Sequence, residues 1–165
     1  MNRKVPRELS QLRAVGEITP HVDIVDVRLI RLDSRVSPSW ATEESPKLQL
    51  DLARKSRCDQ RGRFLVAEVR FTLSGAAADD ASRKFVLLNA TFELRYSINR
   101  EVTLTKQQLS SFAQVNVLYN AWPYWRELVQ DMAARMGLPR LVVPVFRVAR
   151  PTTGSPAGQK DRPSD

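Results

Sequence analysis

At 165 residues, 42% of them hydrophobic, the chain has the length and apolar content for one domain around a single core, and its only cysteine, Cys58, excludes an intrachain disulfide and a thiolate metal cluster. The formal net charge of +8 favours acidic partners, yet Lys and Arg are dispersed without a block of roughly five or more, which speaks for a solvated surface and against a nucleic-acid arm. The opening MNRKVPRELS carries no secretory signal and no apolar run approaches ~20 residues, so a cytoplasmic protein without membrane insertion is expected.

Residues 1–20 read as an N-terminal segment in which Pro6 to Gly16 suits a short helix, with Leu9, Leu12 and Val15 on one side and Gly16 and Pro20 as its stop. From Val22 to Val36 the sequence fits two periods. Val22, Val25, Leu29 and Leu32 recur as on a helix, whereas Val25, Val27 and Leu29 alternate as on a strand. The Val and Ile content tips this segment to strand, and the shifts in alternation at Ile24 to Val25 and at Leu29 to Ile30 then mark bulges. Pro38 to Pro46 reads as a long loop. Three cleaner strands follow. Lys47 to Ala53 alternates Leu48, Leu50 and Leu52 with polar residues, Arg63 to Leu73 places Leu65, Ala67, Val69, Phe71 and Leu73 on one face, and Phe85 to Ser97 does the same with Val86, Leu88, Ala90, Phe92, Leu94 and Tyr96. Ser74 to Lys84 is small and polar, as a hairpin loop requires. Four strands in succession without intervening helices imply an antiparallel meander with one face toward a core, an α+β domain over residues 21–149.

The helical part opens on a capping box, Thr105 with Gln108 three residues on, and Leu104 is placed to staple onto Leu109. Pro123 should disturb this helix, with Asn120 as the cap of a restart. Beyond it Trp125, Leu128, Val129, Met132 and Met136 share one face, and Gly137 and Pro139 end the run. An extended apolar segment, Leu141 to Val148, precedes a Pro/Gly/Ser-rich tail over residues 150–165 that lacks the apolar content to order itself.

Catalytic groupings are scarce. One His, His21, and one Cys allow no zinc set, and neither a CxxC, an HExxH, a P-loop nor a GxGxxG is present. The acidic pairs Asp79–Asp80 and Glu43–Glu44 are adjacent in polar linkers and do not face one another as acid and base partners. These features assign no catalytic residue, metal or cofactor and point to binding. A sheet with one core face, a docking helix and a further Trp- and Phe-containing segment carry more apolar surface than one small domain hides, so a subunit interface or a groove must take the rest. Trp125 sits on the helix's apolar stripe and suits the core; Trp122 and Phe146 are better placed to line a groove.

The stretch from Trp122 to Phe146 resembles the SecB protein-export chaperones through Pro123, Tyr124, Arg126, Glu127, Arg135, Gly137, Pro139, Leu141, Pro144 and Val145. The resemblance extends over about Val22 to Val148. It implies a four-stranded antiparallel sheet with helices on one side, assembled as a dimer of dimers, that holds unfolded or precursor polypeptides in hydrophobic grooves without ATP and delivers them to the SecA motor. By that resemblance Leu48, Leu50, Phe112, Leu141, Val143 and Phe146 would form the groove. The chain departs from the family in two places: Val145, Phe146 and Arg147 lead straight into a basic tail where a helix and an acidic tail are usual, and the first strand carries Arg31, Leu32 and Arg35 where acidic residues are usual. The pattern is closer to divergent SecB-like chaperones, some of which serve an antitoxin. A basic nucleic-acid-binding domain would want aromatic residues interleaved with Lys and Arg on an exposed strand face, which these strands lack.

Overall fold

The structure, a computed structural model, describes residues 15–42, 48–99 and 102–146. Four antiparallel strands form one sheet: β1 (Val22–Val36), β2 (Leu48–Arg61), β3 (Phe64–Ala77) and β4 (Lys84–Ile98), in the order β1-β4-β3-β2. Two helices, α1 (Lys106–Phe112) and α2 (Leu118–Arg135), follow and cover one face of it. The α+β architecture and the antiparallel sheet are those expected from the alternating strands. The meander proper is β2–β3–β4. The long connection after β1 lets that strand lie beside β4, as in a Greek key, so β1 and β2 are the two edges.

The strand assignment of Val22–Val36 holds, and its pairing with β4 slips between Ile24 and Asp26 and between Leu29 and Arg31. Val25 and Ile30 are therefore the extra residues of two bulges, where the sequence places the breaks in alternation. β2 runs eight residues beyond Ala53, through RKSRCDQR, because a sheet edge accepts charged side chains that carry no hydrophobic alternation. β3 likewise continues past Leu73 to Ala77. Gly75 permits this close packing: a Cβ there would meet Leu50 Cδ2 at 3.1 Å. The β3–β4 loop is thus shorter than Ser74 to Lys84, and Ser82 tightens it by donating its backbone N–H and hydroxyl to Asp80.

Of the N-terminal helix only residues 15–18 are described. They are helical, so Gly16 does not end the helix; a 3-10 turn at Thr19–His21, containing Pro20, does. Leu9 and Leu12, the rest of that helix and the tail lie outside the described residues.

The capping box at Thr105 forms as expected: Gln108 N–H donates to Thr105 Oγ1 at 3.2 Å and Thr105 N–H to Gln108 Oε1 at 2.9 Å. Gln60 fixes the entry to α1 by donating to the Val102 carbonyl and accepting from Leu104 N–H. The helical path differs at Pro123. No restart occurs at Asn120, whose amide donates to Tyr96 Oη; α2 runs unbroken through Pro123, and the irregularity lies upstream as a π turn, Ala113–Val117. Pro123 leaves the Tyr119 carbonyl without its helical donor, and both residues stand on the exposed side of α2, where water can satisfy that group.

The inner stripe of α2 docks as its periodicity implies: Trp125 and Val129 are fully buried, with Leu128 and Met132 packed at the margin. Phe71 on β3 is the hub, stacked on Trp125 at 5.1 Å and edge-to-face with Phe92 at 6.2 Å and Trp122 at 5.7 Å. α2 ends in a Schellman motif, with Gly137 at φ +66° and the N–H groups of Leu138 and Gly137 bonded back to the carbonyls of Ala133 and Ala134.

Candidate binding groove

Residues 138–146 continue from α2 without regular structure, and two side chains one turn apart on the helix grip their backbone. Trp122 Nε1 donates to the Pro144 carbonyl at 2.8 Å and Arg126 Nε to the Val143 carbonyl at 3.0 Å. The segment is thereby held with Leu141 and Val143 buried in the core while Val142 and Val145 face outward. Phe146 lies against Trp122, its ring centroid 5.4 Å away, with the Arg54 guanidinium 5.4 Å from the centroid of the Phe146 ring.

Between this segment, α2 and β1 opens a groove of about 530 Å³, bounded by Ile24, Tyr119, Asn120, Trp122, Pro123, Tyr124, Arg126, Val145 and Phe146. It continues into a hollow of about 400 Å³ that shares Ile24, Tyr119 and Asn120 and reaches Val22, Tyr96, Val115 and Asn116. Tyr119 is 61% exposed and Tyr124 45%, so each offers ring surface that folding has left in water. Further along β1, Leu29 and Leu32 extend the exposed apolar surface on the same side of the sheet. Arg126 and Asp23 are the ionisable side chains of the two hollows apart from the tyrosines, and Arg126 is already engaged with Val143. A groove of this composition suits apolar side chains of an extended chain and gives little purchase to a charged ligand.

The residues expected at a groove are divided by the structure. Trp122 and Phe146 line it, although Trp122 presents only an edge. Leu141 and Val143 lie beneath the outward-facing residues of their segment, and Phe112 is fully buried against Tyr96, so Phe112 has no surface to offer. Leu50 is exposed on the opposite edge strand beside Gly75, and Leu48 pairs with Ala77 at the start of β2. Of the family-motif residues, Pro123, Tyr124 and Arg126 form the groove, the Pro144 carbonyl anchors its wall, Gly137 turns the chain, and Glu127 and Pro139 are exposed. Ile24 and Tyr119 were not singled out from the sequence for this role. Treating Pro123 as a break hid the fact that Tyr119, Asn120, Pro123 and Tyr124 share one continuous helix face.

No protein-family model and no curated protein matches the sequence. Among solved structures, the Mycobacterium tuberculosis SecB-like chaperone Rv1957, in complex with a ChAD peptide from the Rv1956 HigA1 antitoxin, superposes with a TM-score of 0.72. The match covers 83% of this chain and 99% of that one at 20% identity. The chain has a SecB-like fold. A Streptococcus agalactiae protein of unknown function overlaps at a TM-score of 0.45 and 10% identity, over 74% of this chain and 96% of that one. Within the SecB-like frame, the stretch Trp122 to Phe146 that carried the resemblance is the wall and one side of the groove. Among the described residues no helix is long and apolar enough to cross a membrane.

Proposed function

We propose that the chain is an ATP-independent SecB-like chaperone that holds extended, non-native polypeptide in the groove between β1, α2 and residues 138–146. The observation that carries this reading is a groove almost free of charge, with half-exposed tyrosines, on a chain whose net charge is +8. Each client side chain buried there contributes roughly 1.5–3 kcal/mol before ordering costs, so several together give useful affinity without sequence preference. The test is light scattering from a chemically unfolded client diluted into buffer with and without the protein, no nucleotide being added. Suppressed aggregation at both low and raised salt supports the reading. No suppression at either salt removes the general chaperone and leaves a single-partner role.

That second role, a dedicated chaperone for an antitoxin segment, is favoured by one specific observation: the SecB-like structure this chain matches holds an antitoxin peptide. It predicts tight binding of one extended segment with poor protection of generic clients. Delivery to SecA is the weaker of the finer readings, because Arg31 and Arg35 stand on β1 where the family's export members present acid.

A further inference from the structure

The face of the sheet turned away from the helices carries the charge that the groove lacks. In register, Lys55 lies opposite Arg70, Arg70 opposite Thr91 and Thr91 opposite Arg31. This cross-strand row is about 14 Å long at the usual strand spacing of about 4.8 Å. Among the described residues, none of its three cations has an ion-pair partner. The neighbouring row is different. Arg57 is paired with Glu68 at 2.7 Å and Arg28 with Glu93 at 2.6 Å, which neutralises it internally. On the other side Thr72 donates to Asn89 at 2.7 Å, and Asp33, opposite Asn89, is paired with Arg35 at 3.3 Å. Lys55 and Arg70 are directly opposite one another, and the nearest carboxylates on this face, Glu68 and Glu93, are engaged by Arg57 and Arg28. Between Arg70 and Arg31 the small Thr91 is 7% exposed and floors a hollow of about 340 Å³ that Lys55, Ser56, Arg57, Glu68 and Arg70 surround.

We propose that this row is a docking site for an acidic polypeptide segment, on the opposite face of the sheet from the groove. Charge complementarity chooses the occupant. Alternate side chains of an extended peptide recur about every 6.6 Å, so two or three carboxylates match a row of about 14 Å. A nucleic-acid backbone would have to pass over Glu68 and Glu93, and Phe64, a strand aromatic on this face, has Arg95 5.2 Å over its ring and offers no free stacking platform.

The experiment is fluorescence anisotropy on the full chain with a labelled oligo-glutamate peptide and, in parallel, a single-stranded oligonucleotide of matched charge. The peptide is expected to bind, and to bind less as salt rises. The Lys55→Gln/Arg70→Gln double variant should lose about tenfold in affinity, while Glu68→Gln, which removes a carboxylate and frees Arg57, should bind more tightly, both variants melting as the wild type does. Absence of peptide binding, equal affinity in the double variant, weaker binding by Glu68→Gln, or tighter binding of the oligonucleotide than of the peptide would each overturn the proposal.

Discussion

Trp122 and Tyr119 stand one turn apart on α2 and divide the work of the groove between structure and contact. Trp122 ties the helix to the Pro144 carbonyl by a part-buried hydrogen bond that Trp122→Phe removes; a loss of about 1 kcal/mol in urea unfolding is expected. Tyr119 is 61% exposed, and Tyr119→Ser should change stability by no more than about 0.5 kcal/mol. Equal stability losses for the two would contradict the division. At the same scale, burial, with Asp59 beside it, pushes the Cys58 thiol up to about 12 from 9.0. An unfolded chain releases this proton near 9 and the folded chain keeps it, so the folded state binds more protons in between and stability falls as pH rises from about 9 to about 12. Tyr96, whose phenol is pushed up chiefly by burial, acts in the same direction. Urea midpoints should therefore drop between pH ~8 and ~11, and less steeply in Cys58→Ala; a flat profile would show that burial of these groups is not maintained in solution.

At the scale of elements, the sequence was legible wherever one physical rule acted alone. The bulges of β1 showed because each interrupts a strict alternation, and the start of α1 showed because a capping box needs only two residues three apart. The second half of β2 was hidden, since an edge strand with Arg54, Ser56, Cys58 and Gln60 toward the helices has no apolar period to read. The passage of α2 through Pro123 was hidden for another reason: the local cost of a proline is offset by docking Trp122, Trp125 and Val129 on Phe71 and its neighbours, a tertiary term that no local pattern contains. The stop at Gly137 was visible, and it is testable. A Cβ there meets nothing within 4 Å, so Gly137→Ala tests backbone conformation alone and should cost about 1 kcal/mol through its φ of +66°. An unchanged unfolding midpoint would mean that the Schellman turn relaxes freely.

For the whole molecule, the same 165 residues put apolar surface on one side of the sheet and charge on the other. The stretch from Trp122 to Phe146 that carries the resemblance borders the groove, whereas most of the groove-forming positions carried over by resemblance fall in the core or on the far edge. β1 adds a consequence. Ile24, Val25, Leu29, Ile30 and Leu32 are between 41% and 57% exposed on an unpaired edge strand, which is more apolar edge than a monomer ordinarily leaves bare. Self-association through β1 is the expected outcome, with Leu29→Lys/Ile30→Lys lowering the mass seen by light scattering after gel filtration; a wild type that is monomeric at all concentrations would contradict it.

Client binding in the groove is tested most directly by the affinity of a labelled, permanently unfolded client for the wild type and for Tyr119→Ser/Tyr124→Ser, at low and raised salt. The variant is expected to lose about tenfold or more in affinity, the same at both salts, with unchanged melting. Equal affinity in the variant, or binding that disappears with salt in the wild type, would place the client elsewhere on the molecule.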